Sequence, residues 1–154
     1  MTAELRIRPA TGPAEHPALV AIWRSAVQAT HDFLAPADFA RIEGALATDY
    51  LPAVTLVVAE RDGVAVGFAG VHDGSLEMLF VSDDARGGGV GSALLSEVIA
   101  AHGVTRVDVN EQNPGALGFY EHRGFRVTGR SPLDGDGRPY PIVHLELAEP
   151  APTS

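Results

Sequence analysis

The chain contains no cysteine and no lysine, and its aromatic content is low, at 6% with one tryptophan. Without cysteine there can be no disulfide framework, thiol nucleophile or cysteine zinc site. Without lysine a Walker-type phosphate loop, which closes on Gly-Lys-Ser/Thr, is excluded. Long hydrophobic runs are also missing: Val54 to Ala59, among the longest, is far too short to cross a bilayer. The opening Met1-Thr2-Ala3-Glu4-Leu5-Arg6 lacks a basic stretch followed by an apolar one and is not read as a secretory signal. The expectation is a soluble cytoplasmic protein with no membrane partner. Histidines 16, 31, 72, 102, 122 and 144 show no metal-ligand spacing, so no metal is expected, and no serine sits in a G-x-S-x-G elbow.

What is present is ample core material. Of 154 residues 45% are hydrophobic, and the 20% that are charged are scattered, which favours one folded domain over disorder. That domain is expected over 1–148, with 149–154 a frayed tail. The formal net charge is −9 and all eleven basic residues are arginine. Such a surface argues against general nucleic-acid binding and attracts cations. Any phosphate site must therefore be built locally. A homodimer is compatible with the sequence.

Periodicity sets the element order. Leu5 and Ile7 alternate with charged residues up to Pro9, which reads as a short strand. A helix over 18–29 places Leu19, Ile22, Trp23 and Val27 on one face, and a second, weaker helix spans about 37–48. Two strands, 55–60 and 65–72, flank the hairpin signal Arg61-Asp62-Gly63, and another covers 76–81. A helix over 89–101 is closed by Gly103, and a strand covers 106–109. A helix over 114–123 carries marks at both ends, with Asn113 as N-cap, Pro114 at its first position and Gly124 beyond it. A closing hairpin uses 125–129 and 142–147. The order β-α-α-β-β-β-α-β-α-β-β is that of an α+β fold, a mixed sheet with helices on both faces.

The sharpest feature is Val81-Ser82-Asp83-Asp84-Ala85-Arg86-Gly87-Gly88-Gly89-Val90-Gly91-Ser92, a strand, a tight loop and a helix start. Glycines at a helix N-terminus leave backbone N–H groups unobstructed, and the helix dipole adds partial positive charge there. A phosphate or pyrophosphate suits such a concavity, and Arg86 at its entrance can pair with it. A dinucleotide turn of the G-x-G-x-x-G type is the competing reading: Gly87-x-Gly89 meets Ser92, and Asp108 lies nineteen residues beyond Gly89. But five residues separate Val81 from Gly87, where such a turn follows its strand almost at once. A loop whose glycines only pack a helix is the remaining alternative.

Arg86, Gly89 and Gly91 also satisfy R-x-x-G-x-G, and downstream Asn113-Pro114-Gly115-Ala116-Leu117-Gly118-Phe119-Tyr120-Glu121-His122-Arg123-Gly124-Phe125 reads as N-x-x-A-x-x-F-Y-x-x-x-G-F. In both motifs, their order and their spacing, the chain resembles the GNAT superfamily of N-acetyltransferases. Ala29 to Leu34, Asp108 to Asn113 and Gly137 to Pro141 extend the resemblance to a small bacterial subgroup of peptidyl-lysine N-acetyltransferases. The resemblance implies a GNAT-like, mostly antiparallel sheet splayed between its fourth and fifth strands (76–81 and 106–109), with acetyl-CoA as co-substrate. Leu79, Phe80 and Val81 would pair with the pantetheine amides like an added strand, and Gly87, Gly88, Gly89, Val90, Gly91 and Ser92, with Arg86, would hold the pyrophosphate. Asn113 would contact pantetheine, or serve as a cap alone.

The implied reaction is direct attack of a primary amine on acetyl-CoA within a ternary complex. Tyr120 would act as the acid toward the leaving thiolate; the other reading is a buried tyrosine satisfied by a carbonyl. The base is open among Glu77, His31, Asp108 and water. Glu77 is favoured, because strict alternation would place it on the face of Leu79 and Val81, beside an apolar slot that would raise its pKa. On the acceptor side the candidates are Trp23, His31, Phe33 and Asp108. The acceptor is expected to be a protein lysine or N-terminus. A small amine (polyamine or aminoglycoside) and a non-catalytic acyl-CoA sensor are the alternatives.

Overall fold

Two Asp-Gly pairs organise the first sheet. Asp62 and Gly63 have φ of 56° and 75°, and Asp73 and Gly74 have 48° and 76°, so each pair holds two left-handed residues in succession, as tight hairpin turns require. They join β2 (Thr55–Arg61), β3 (Val64–His72) and β4 (Ser75–Val81) into an antiparallel meander. The strand β1 (Leu5–Pro9) adds antiparallel to β2, from Leu5 opposite Arg61 to Pro9 opposite Val57. This computed structural model describes residues 5–30, 36–85, 88–134 and 137–148. Its chain groups into two units, Met1–Val104 and Thr105–Ser154. The expected tail, 149–154, lies outside the described residues.

In the first unit helices cover both sheet faces. α1 (His16–Thr30) buries the predicted stripe Leu19, Ile22, Trp23 and Val27 against Leu56, Val58 and Phe68. α3 (Val90–His102) lies on the other face and buries Val90, Leu94, Leu95 and Val98. It starts one residue after the predicted position and ends on Gly103, whose φ of 65° makes the left-handed C-cap.

The second helix departs from expectation. α2 (Pro36–Ala45) stops short of Thr48 and widens into a π-type turn over Leu46–Tyr50, followed by a 3-10 turn at Leu51–Ala53. Leu46 and Leu51 are both buried in the core. A wide turn of five residues presents the two to the same interior, where a regular helix would rotate one away. Thr48 contributes locally, since its hydroxyl bonds back to the carbonyls of Gly44 and Ala45 at 3.4 and 3.5 Å.

The second unit is a three-stranded antiparallel sheet, β5 (Arg106–Asn110), β7 (Ile142–Leu147) and β6 (Phe125–Ser131) in that order, with α4 (Pro114–His122) packed on it. Asn113 caps α4 by accepting the Ala116 N–H at 3.2 Å, as predicted. Val107, Val109, Val143, Leu145, Phe125 and Tyr120 form its interior. No helix among the described residues is long and apolar enough to cross a membrane.

A polar clamp ties β1 to the segment that leads into α1. Arg8 donates to Glu15 at 2.6 and 3.0 Å and to Glu60 at 3.1 Å, with all three side chains largely shielded from solvent. The Arg8 hydrogen bonds hold the Glu15 carboxyl down at about 2, against an ordinary value of 4.5. A carboxyl lowered in the folded state stabilises fully above 4.5 and loses that contribution as pH falls toward 2. Glu15→Gln is therefore expected to cost about 1–3 kcal/mol at neutral pH. It should also flatten the loss of stability below pH 4.5. Urea midpoints measured along the acid limb test both; a variant as acid-sensitive as the parent would contradict the assignment.

Candidate active site

The glycine loop is built on the close seating of α3. At Gly67 of β3 a Cβ would lie 2.9 Å from Val90 and 3.2 Å from Leu94, so a side chain there would push the helix start away. β4 ends at Val81 and passes through one 3-10 turn, Asp83–Ala85, which Ser25 of α1 anchors by accepting the Asp83 N–H at 2.9 Å. Arg86 and Gly87 lie outside the described residues. Gly88 and Gly89 are exposed, and Gly89 holds φ 80° as N-cap, with no side chain capping α3. A Cβ at Gly89 would meet nothing within 4 Å. The helix start is thus exposed and carries no side-chain cap, the setting in which backbone N–H groups can receive a phosphate. Gly91 and Ser92 continue it as half-buried residues of the first turn, while the Val90 side chain is core.

On β4, Leu79, Phe80 and Val81 are half-buried and paired with β3. The pairing steps from Gly70 opposite Met78 to Val71 opposite Leu76, leaving Glu77 as the extra residue of a bulge. A bulge breaks period-two alternation. Strict alternation, the ground for placing Glu77 with Leu79 and Val81, therefore does not apply there. Glu77 is exposed and stands at a cavity of about 480 Å³ with Met78 and Phe80. Trp23, Ile42, Leu46, Tyr50, Ala53 and Val54 supply the walls, and His72 also lines it. Trp23 is thus brought to Glu77 as a candidate acceptor contact, its ring 5.0 Å from that of Phe39. His31 and Phe33 fall outside the described residues. His72 was not singled out from the sequence; its only signal is its place as the last residue of β3, ahead of Asp73-Gly74.

In the second unit Tyr120 keeps only 6% of its surface exposed. Phe119 and Phe125 pack edge-on against its ring at 5.1 and 5.7 Å. Among the described residues its hydroxyl has no hydrogen-bond partner. Burial pushes the phenol well above the ordinary tyrosine value, and it stays protonated at neutral pH. Asp108 is not a free carboxylate. It meets His144 Nδ1 at 2.7 Å, and His144 Nε2 meets Ser131 Oγ at 2.7 Å. These two partners escaped sequence reading because they are 36 and 23 residues from Asp108 and meet it only through strand register. Among the described residues no group of three His, Cys, Asp or Glu is disposed to hold a metal.

An uncapped glycine-rich helix start in the first unit and a buried, protonated phenol in the second are each compatible with acyl-CoA chemistry. The chain belongs to the GNAT family: the family model for the acetyltransferase (GNAT) domain matches residues 24–140. A curated relative, peptidyl-lysine N-acetyltransferase YjaB of Salmonella typhimurium LT2, is 46% identical over 129 residues, 82% of this chain and 88% of its own. The solution structure of apo-form YjaB from Escherichia coli superposes with a TM-score of 0.83 at 39% identity, covering 93% of this chain and 97% of that one. A Thermoplasma acidophilum PaiA N-acetyltransferase solved with coenzyme A shares the fold, with a TM-score of 0.74 at 17% identity over 94% of this chain and 99% of that one. The protein is an acetyl-CoA-dependent N-acetyltransferase of mixed α/β fold.

Two outcomes follow. Gly89→Val forces a branched side chain into φ 80° at the exposed helix start, so acetyl-CoA binding should weaken at least about tenfold in a folded variant. Unchanged affinity by calorimetry would count against the cradle. For Tyr120 the folded chain retains its proton above the ordinary value of 10.0, where the unfolded chain releases it. That contribution is complete below pH 10 and is lost as pH rises beyond it. With no lysine or cysteine titrating alongside, Tyr120→Phe should visibly reduce the alkaline fall in the urea midpoint.

Proposed function

We propose that the acceptor is a lysine side chain of a peptide or protein, with Glu77 receiving its proton and Tyr120 facing the leaving sulfur. The supporting observation is the cavity of about 480 Å³ beside Glu77. Its walls are dominated by Trp23, Ile42, Leu46, Val54, Met78 and Phe80, and among the described residues its only carboxylate is Glu77. A lysine matches that chemistry, since its four-carbon stem is apolar and its head carries one charge. A polyamine or aminoglycoside carries several ammonium groups, each needing a partner, and the described lining offers one carboxylate. The relatives named for peptidyl-lysine acetylation agree with the same reading.

Acetyl-CoA supplies the acetyl group as a thioester. A lysine ammonium, of ordinary pKa about 10.4, must lose a proton before it can attack, and Glu77 accepts it directly or through a water. Tyr120 then donates a hydrogen bond to the sulfur as the carbon–sulfur bond breaks. Full proton transfer from a phenol so raised to a thiolate, of ordinary pKa about 8.5, is uphill. Tyr120 therefore acts by stabilising developing charge, and the sulfur gains its proton from the surroundings.

Steady-state kinetics with lysine peptides, spermidine and an aminoglycoside test the proposal. Lysine peptides should give the highest kcat/KM; a polyamine turned over more efficiently would overturn the acceptor assignment. Tyr120→Phe should lower kcat by about 10²-fold with little change in acetyl-CoA affinity. Glu77→Gln should lower kcat/KM by at least about tenfold, whereas His31→Ala should mainly raise the acceptor KM. The opposite pattern would move the base to His31.

A further inference from the structure

Arg61 closes β2 and enters the turn formed by Asp62 and Gly63. Its side chain is half-buried, and its Nε is wholly shielded from solvent with no hydrogen-bond partner among the described residues. Its two terminal nitrogens lie 3.4 and 3.6 Å from the point a Cβ at Gly88 would occupy. The guanidinium is therefore laid against the loop one residue before the Gly89 cap of α3.

Two features are unexpected for an arginine serving structure alone. The chain has 20 acidic residues against eleven basic ones, and several of its arginines pair with carboxylates. Arg8 binds Glu15 and Glu60, Arg24 binds Glu43 and Arg130 binds Glu111. Arg61 makes no such ion pair among the described residues. Gly88, moreover, is absent from the positive-φ residues, so its backbone does not demand glycine. A Cβ there would stand at ordinary contact distance, 3.4 Å, from Arg61 Nη1, so the guanidinium and the loop lie directly against each other.

We infer that Arg61 is a phosphate-binding residue of the acetyl-CoA site, a second cation at the loop that its motif does not include. The inference rests on the cradle reading of Gly88 and Gly89. A planar guanidinium offers paired N–H donors that match two phosphate oxygens, and a ligand phosphate would supply an anion that the described residues do not. CoA carries phosphate in two places, the pyrophosphate and the ribose 3′-phosphate. Both present the same chemistry to Arg61.

The test is calorimetric affinity of the parent, Arg61→Gln, Arg61→Lys and Gly89→Val proteins for CoA, dephospho-CoA and S-acetylpantetheine, with folding checked by thermal melts. Arg61→Gln should weaken CoA at least about tenfold, with a shallower salt dependence. Arg61→Lys should recover only part of the loss. S-acetylpantetheine, which has no phosphate, should bind parent and Arg61→Gln alike. A deficit that persists with dephospho-CoA assigns the contact to the pyrophosphate, and one that vanishes assigns it to the 3′-phosphate. Parental CoA affinity in Arg61→Gln, or an equal loss on S-acetylpantetheine, overturns the proposal. Gly89→Val separates the two ideas: if it loses CoA while Arg61→Gln does not, the cradle stands and only Arg61 is excluded; if it keeps CoA, the cradle fails first.

Discussion

The approach of α3 to β3 at Gly67 is the constraint on which the cofactor half of the site depends. A helix presents free N–H groups wherever it starts, but here the start is pinned. Val90 and Leu94 occupy the space that a side chain at Gly67 would need, and Val90, Leu94, Leu95 and Val98 are buried behind them. Apolar burial thus fixes the position of a polar feature, the uncapped first turn after Gly89. Hydrophobic packing is non-directional, but at interior density it leaves a helix little freedom to slide. That rigidity makes a cradle of a helix end.

The acceptor side is shaped differently, by irregularity. The bulge at Glu77 interrupts β4, and the wide turn after α2 carries Leu46 and Leu51 inward together. Both are departures from regular geometry of the kind found beside functional sites. Between them lies a cavity whose wall is mostly apolar and whose one carboxylate among the described residues stands on the bulged residue.

Charge is allotted sparingly. An acidic chain with eleven arginines must place each with care if it is to bind a polyanion. Most of the shielded guanidinium capacity is spent internally, in the Arg8 clamp above all, where the Glu15 carboxyl is held far below its ordinary range. Arg61 is the one that the fold brings to the glycine loop and leaves without a carboxylate among the described residues.

The amino-acid sequence by itself determined the element order, most strand limits to within a residue, the turn at Asp62-Gly63, the Asn113 and Gly103 caps and the two glycine- and tyrosine-bearing motifs. Each is a local signal, carried by alternation, by residues that tolerate left-handed backbone, or by side chains that bond to neighbours a few positions away. Tertiary structure decided what local rules cannot reach. The bulge that takes Glu77 out of strict alternation arises from pairing with β3, and the end of α2 at Ala45 arises from two leucines competing for one interior. Asp108 finds His144 and Ser131 only through the register of β5, β7 and β6, and Arg61 meets Gly88 across 27 positions of chain. Such contacts depend on where strands and helices pack, a long-range outcome that no window of sequence contains.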